Sequence, residues 1–220
     1  MSELNIDQAR FNMIEQQVRP WDVLDQQVLD VLATTPRERF VPEQYRNLAF
    51  ADVEIPIGCG EVMMTPKVEG RLLQALAVRD SERALEIGTG SGYLTACLAK
   101  LAASVVTVEL EQELSQAAHQ RLAGLELENV EYRIGDAAGG WTDDGQFEII
   151  AVTGSVPVLP ESFKQQLTVG GRLFIIVGEK PVMEALLVTR VNEREWTTES
   201  LFETELPPLK NASRPAQFVF

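Results

Sequence analysis

After Asp80 the sequence alternates short apolar runs with helix-forming stretches, and this alternation restricts the available folds more than any other feature. "RALEIG", "SVVTVEL", "NVEYRIGDA", "FEIIAVTG" and "GGRLFIIVG" read as strands. "SGYLTACLAKLA", "EQELSQAAHQRLAGL" and the short "PESFKQQL" read as helices between them. The runs show little apolar–polar alternation, as strands do when both faces of their sheet are covered. A parallel pair needs a crossover, and a helix is the usual crossover, so the pattern predicts a doubly wound, mostly parallel α/β sheet. Further on, "MEALLVTRVNEREWTTESLFETEL" holds two β-rich runs parted by the polar "NERE". That predicts an antiparallel pair at the sheet edge.

The residues before Asp80 have a different texture. From about 4 to 50 the spacing is helical: Phe11, Ile14 and Val18 recur three and four apart, and so do Val28, Val31 and Leu32. "VEIPIGCGEVMMTP" reads as a loop-rich connector, punctuated by Pro56, Gly58, Gly60 and Pro66. Thr65 followed by Pro66 fits the N-cap and first position of a helix, "PKVEGRLLQALAV". The expected organisation is one domain over 1–220, with 1–79 a helical extension and substrate-side loop. Residues 80–220 then form the ligand-binding sheet and its C-terminal strands.

Composition excludes several classes. The net charge is −14, from 33 acidic and 19 basic residues. Such a surface repels phosphate backbones, and the basic residues are scattered, as in "TPRERFVPE", so no nucleic-acid partner is expected. No apolar run reaches the roughly 18 residues of a membrane span, and the opening "MSELNIDQARFNMIEQQ" is too polar for a signal peptide. Cys59 and Cys97 make no spaced pair, Cys97 falls within a helix read as buried, and a cytoplasmic chain is expected. His119 is the only histidine and sits among helix formers, so no metal site is expected.

The ligand signal lies in "LEIGTGSGY". Gly88, Gly90 and Gly92 occupy the first turn after the first long strand, where glycine permits positive φ and close approach of a ligand to the backbone. Counting from Gly88, the sixth position is Tyr93, which does not fit the last glycine of the dinucleotide fingerprint, and no Walker-type G-K-S/T follows. The pattern is E-x-G-x-G-x-G, beginning at Glu86. Seventeen positions after Gly92, the second strand delivers Glu109, followed by Leu110. A carboxylate there can accept from both hydroxyls of a ribose. The third strand ends in "IGDA", placing Asp136 and Ala137 where an adenine edge would lie.

As a set, these residues resemble the Rossmann-like S-adenosyl-L-methionine-dependent methyltransferases. The resemblance assigns Glu86, Gly88, Gly90 and Gly92 to the methionine side, Glu109 and Leu110 to the ribose, and Asp136 and Ala137 to the adenine. "MIEQQVRPWDVLDQQVLDVLATTPRERFVPE", "ADVEIPIGCGE", "LEIGTGSGY", "GDAAGGW" and "LTVGGRLFIIVG" narrow it further, since in this order they resemble the protein-L-isoaspartate O-methyltransferases. That family implies S-adenosyl-L-methionine as cofactor and damaged proteins or peptides as substrates, methylated on the abnormal carboxylate of isoaspartyl residues.

The resemblance also puts Ile57, Gly58 and position 64 against the acceptor. The family connector reads G-x-x-I-S-x-P, and its serine meets the substrate carboxylate. Here "GEVMMTP" places Met64 at that position, with no donor to offer. Thr65 either stands in for the serine as the catalytic-site hydroxyl or merely caps the following helix. An acceptor carboxylate is ionised at neutral pH, so no general base is required and the absence of a catalytic dyad is no objection. Two further readings stay open: a methyltransferase of the same build with another acceptor, and a cofactor-binding homologue without activity. The segment "VTGSVPVLP" lacks the Asn/Asp-Pro-Pro-aromatic turn of amino-methylating nucleic-acid enzymes. Tyr93 and the lack of a hydride-transfer pair disfavour a nicotinamide oxidoreductase.

Overall fold

The computed structural model describes residues 5–214. Its central sheet is built from β3 (Arg83–Ile87), β4 (Ser104–Glu109), β5 (Val130–Ile134), β6 (Phe147–Val156), β7 (Leu167–Glu179), β8 (Val182–Arg190) and β9 (Trp196–Glu203). The strand order is β5-β4-β3-β6-β7-β8-β9. The pairs from β5 through β7 are parallel; β8–β9 is antiparallel, as the tail pattern predicts, and so is β7–β8. β3 is the first strand of the parallel part and has β4 on one side and β6 on the other, so the chain reverses its direction of travel across the sheet beside it. Ligands bind outside the carboxyl ends of strands at such a switch point.

Period-two alternation sorts the core into two layers. Ala84, Val105, Ile149, Ala151 and Phe174 face one way. There they pack with residues of α3 (Pro66–Leu76), α4 (Tyr93–Leu101) and α5 (Gln112–Ala123). Leu85, Val106, Ile150, Leu173 and Ile175 face the other way, toward Phe163 of α6 (Glu161–Gln165). All ten of these strand residues are at 0% exposure. Fully burying one such side chain contributes roughly 1.5–3 kcal/mol for the larger residues, so both layers are needed to hold the sheet.

The N-terminal extension departs from its helical reading in detail. α1 (Ile6–Met13) is capped by Asn5, whose side chain accepts from the Gln8 N–H. It then widens into a π turn over Ile14–Val18, and a 3₁₀ turn over Arg19–Trp21 follows at Pro20. The wider turn breaks the 3.6-residue spacing. Met13, Ile14 and Val18 therefore face the core, and Phe11, expected there, is 58% exposed. α2 (Gln26–Thr34) is capped by Asp25 and buries Val28, Val31 and Leu32 as expected.

The expected loop-rich connector is a hairpin instead, β1 (Ile55–Gly58) with β2 (Glu61–Met63). Cys59 and Gly60 form its two-residue turn at φ +53° and +81°. A two-residue turn with both φ positive matches the twist of the strands, and it normally advertises itself by Asn or Asp before glycine. A cysteine in that place hides the signal.

Candidate active site

β3 ends at Ile87, and the glycines follow with positive φ. A side chain at Gly88 would put its Cβ 2.3 Å from the Thr153 hydroxyl. That hydroxyl donates to the carbonyls of Ile87 and Gly88, which clamps the loop against β6. Gly90 is approached instead by Ile57 of the hairpin, whose Cδ1 would lie 3.2 Å from an added Cβ. Gly88 and Gly90 line a cleft at the switch point together with Ile57, Glu109, Leu110, Asp136 and Ala137. The structure thus brings seven of the residues named from sequence into one cleft.

Glu109 closes strand β4 and is only 6% exposed. One carboxylate oxygen accepts from the Gly90 N–H at 2.8 Å and the other from the Glu111 N–H at 3.0 Å. A carboxylate offers about four lone-pair sites, so two hydroxyls can still be received. Asp136 accepts from the Ala138 N–H with one oxygen and from the Asn211 amide with the other.

Five named residues lie outside that cleft: Glu86, Gly92, Gly58, Met64 and Thr65. Glu86 shares the face of Ala84, so the strand turns it away from the cleft and down onto α4. There it is fully buried, and Thr95 and Thr107 donate to it. Thr107 also meets the hydroxyl of Thr89 at 2.6 Å, so Glu86 supports the glycine loop from beneath. Burial pushes its carboxyl up to about 8. Gly92 serves packing: an added Cβ would press on Ala118 of α5 at 3.0 Å. Gly58 forms the hairpin rather than the cleft wall.

Thr65 stands at the N-cap of α3 with Pro66 at its first turn, yet its side chain makes no capping bond. The hydroxyl is buried and meets no hydrogen-bond partner among the described residues. Met64 is buried too, and its carbonyl accepts from Arg37 at 2.7 Å. Arg37 was hidden in "TPRERFVPE", where it looks like one more surface charge. It is fully buried, donates to the Ala49 carbonyl, pairs with Glu69 and lies over the Tyr93 ring at 4.8 Å. Burial pushes the Glu69 carboxyl up to about 7 against the pull of Arg37. This one side chain ties the extension, the loop before α3 and the start of α4 together.

The C-terminal segment forms a strap over the cleft. Ser155 donates its N–H to the Pro207 carbonyl and accepts from the Leu209 N–H, and its hydroxyl donates to the Leu206 carbonyl. Leu209 seats on Gly154, where a Cβ would come within 2.5 Å. Lys210 then reaches across to the hairpin and to Glu111. An extended segment of this kind has neither the helical nor the strand period, so no periodicity marks its residues in the sequence.

Cys97 is fully buried and burial pushes its thiol up to about 12, so it is an unreactive core residue. Desolvation, Glu113 and Glu111 push the Cys59 thiol up as well. His119 is exposed on α5, its ring edge-on to Tyr132 at 4.6 Å. Among the described residues there is no group of three or more metal-ligating side chains, and no helix is long and apolar enough to cross a membrane.

Comparison with known proteins agrees with this geometry. The family model "Protein-L-isoaspartate(D-aspartate) O-methyltransferase (PCMT)" matches residues 9–213. Protein-L-isoaspartate O-methyltransferase 2 of Anaeromyxobacter sp. (strain Fw109-5) is 38% identical over 201 residues, covering 91% of this chain and 83% of the relative. The protein of the same name from Pelobacter propionicus is 37% identical over 209 residues, covering 94% and 93%. Among solved structures, a Plasmodium falciparum protein assigned to the same family, in complex with S-adenosyl-L-homocysteine, superposes with a TM-score of 0.80 at 21% identity, over 94% of this chain and 99% of that one. That likeness establishes the fold. Family match and close relatives together establish more: the chain belongs to the protein-L-isoaspartate(D-aspartate) O-methyltransferase family.

Proposed function

We propose that the chain transfers a methyl group from S-adenosyl-L-methionine to the free carboxylate of L-isoaspartyl residues in damaged proteins and peptides. The observation that carries this reading is the switch-point cleft. A glycine loop with no room for side chains closes one end, and a backbone-anchored carboxylate at the end of β4 faces it. These residues fit the cofactor. Glu109 would take the ribose hydroxyls, Gly88 and Gly90 would lie along the methionine part, and Leu110, Asp136 and Ala137 would border the adenine.

When bound, the cofactor supplies an activated sulfonium methyl. The protein's part is to bring a carboxylate oxygen into line with it and to exclude water. An acceptor carboxylate is already ionised at pH 7, so the site needs no proton acceptor. Ile57 and the strap cover the cleft and serve the exclusion. The two cysteines are unpaired, which suits a reducing compartment, and we place the chain in the cytoplasm.

The test is transfer of labelled methyl to an isoaspartyl peptide beside its aspartyl twin, with release of methanol from the ester. Transfer to the isoaspartyl form alone is the expected result, and equal labelling of both or of neither contradicts it. Met64 favours a second reading, a different acceptor on the same build, because the family hydroxyl is missing and Thr65 does not reach the cleft. Failure on isoaspartyl peptide with intact S-adenosyl-L-homocysteine binding and methyl transfer to another acceptor would select that reading; binding with no transfer to any acceptor would select the homologue without activity.

A further inference from the structure

Four carboxylates, Glu61, Glu109, Glu111 and Asp136, line the cofactor cleft, and among the described residues Lys210 is the one cationic side chain that lines it. An acceptor that is itself a carboxylate is repelled by such a wall, and a cation on the protein side offsets that repulsion. Neither residue 64 nor residue 65 supplies a donor. Met64 has none, and the Thr65 hydroxyl is buried away from the cleft. Lys210 sits at the seam between the two covers, the strap that carries it and the β1–β2 hairpin. Its ammonium is 2.7 Å from Glu111 Oε1, 3.0 Å from Glu61 Oε1 and 3.0 Å from the Cys59 carbonyl. All three of its N–H donors are therefore engaged.

We propose that Lys210 is the acceptor-binding cation of this enzyme, its contact with Glu61 being exchanged for the carboxylate of the incoming substrate. The inference rests on the carboxylate acceptor of the preceding section. The exchange is like for like: one carboxylate leaves the ammonium and another arrives, so the charge on the lysine stays matched. Glu61 is the partner that yields. Its contact is the longer of the two carboxylate contacts, and it lies on the hairpin, whereas the backbone N–H of Glu111 is tied to Glu109. The side chains of Lys210 and Glu61 are 40% and 30% exposed, so a substrate arriving from solvent reaches them without unfolding either cover. A half-exposed pair of this kind is held weakly in water, which makes it exchangeable. Lys210 takes over in charge what the family serine supplies as a hydroxyl.

The experiment compares wild type, Lys210→Met, Lys210→Arg and Glu61→Gln with an isoaspartyl peptide, together with calorimetric binding of S-adenosyl-L-homocysteine. Lys210→Met raises KM for the peptide roughly ten- to a hundredfold, the range for losing one charge-assisted hydrogen bond, with S-adenosyl-L-homocysteine affinity within about twofold. Lys210→Arg restores most of the loss, and Glu61→Gln lowers KM by removing the competitor. An unchanged KM in Lys210→Met overturns the proposal. So does a loss of S-adenosyl-L-homocysteine affinity in step with KM, since Lys210 would then be a latch on the cofactor cleft only. An active wild type with either of those outcomes overturns this proposal alone; a wild type silent on the peptide overturns the acceptor assignment along with it.

Discussion

Replacing Glu109 with glutamine separates the ribose role of this residue from its structural one. The carboxylate accepts two backbone N–H groups, from Gly90 and Glu111, one on each oxygen. The amide of glutamine can accept on one side only and turns an NH₂ toward the other N–H, so one backbone donor loses its partner. A buried donor left unsatisfied costs about 1–3 kcal/mol. In a chain of 220 residues that corresponds to a Tm lower by roughly 2–12 °C, at about 2–4 °C per kcal/mol. The binding loss is additional. Hydrogen bonds from ribose hydroxyls to a charged carboxylate are worth about 1.5–3 kcal/mol, and glutamine keeps part of one. S-adenosyl-L-homocysteine should therefore bind roughly ten- to a hundredfold more weakly by isothermal titration, measured below the Tm of the variant. Adenine alone, which has no ribose, should bind wild type and variant alike. A Glu109→Gln protein with wild-type affinity for S-adenosyl-L-homocysteine, or an equal loss for adenine, would refute the ribose assignment.

Other residues give tests of the same kind. Thr65→Val removes a buried hydroxyl that meets no partner among the described residues, so isoaspartyl peptide turnover should stay within about twofold and stability should hold or rise by up to about 1 kcal/mol; a tenfold loss of turnover would return Thr65 to the mechanism. Arg37→Met removes the partner of Glu69 and the donor to two buried carbonyls, of Ala49 and Met64, and should cost about 3–5 kcal/mol in chemical denaturation, only part of it recovered when Glu69→Met is added. Stability should fall as pH rises from about 5 to 8, because Glu86, at about 8, and Glu69, at about 7, keep a proton in the folded chain that the unfolded chain has released. The slope is at most about 1.4 kcal/mol per pH unit for each group, and Glu86→Gln should flatten it; identical pH profiles for variant and wild type would contradict the burial account.

Legibility in the sequence followed physical cause. The sheet could be read because strands covered on both faces are apolar throughout, and β3, β4, β6 and β7 fall where their apolar runs are. The glycine loop and Glu109 could be read because a nucleoside constrains residue type at fixed places after two strands. The motif E-x-G-x-G-x-G as a string does not say which way Glu86 points. Its parity with Ala84, opposite to Leu85 and Ile87, turns it onto α4 and under the loop. In register it is opposite Thr107, the residue that donates to it. The hairpin escaped because its strands are four and three residues long and a cysteine stands at its turn. Arg37, Thr153 and Lys210 escaped for a different reason. Each acts through a partner far away in sequence, Glu69, Gly88 and Glu61 respectively, and nothing local marks such pairs.

Methyl transfer by this chain depends on an adenosyl cofactor seated between the glycine loop and Glu109. The most direct measurement is a crystal structure of the wild-type chain grown with S-adenosyl-L-homocysteine. Both ribose hydroxyls should lie within about 2.5–3.0 Å of the Glu109 carboxylate, with the methionine part along Gly88 and Gly90 and Lys210 at the rim. Ligand density elsewhere, or a ribose with no contact to Glu109, would contradict it.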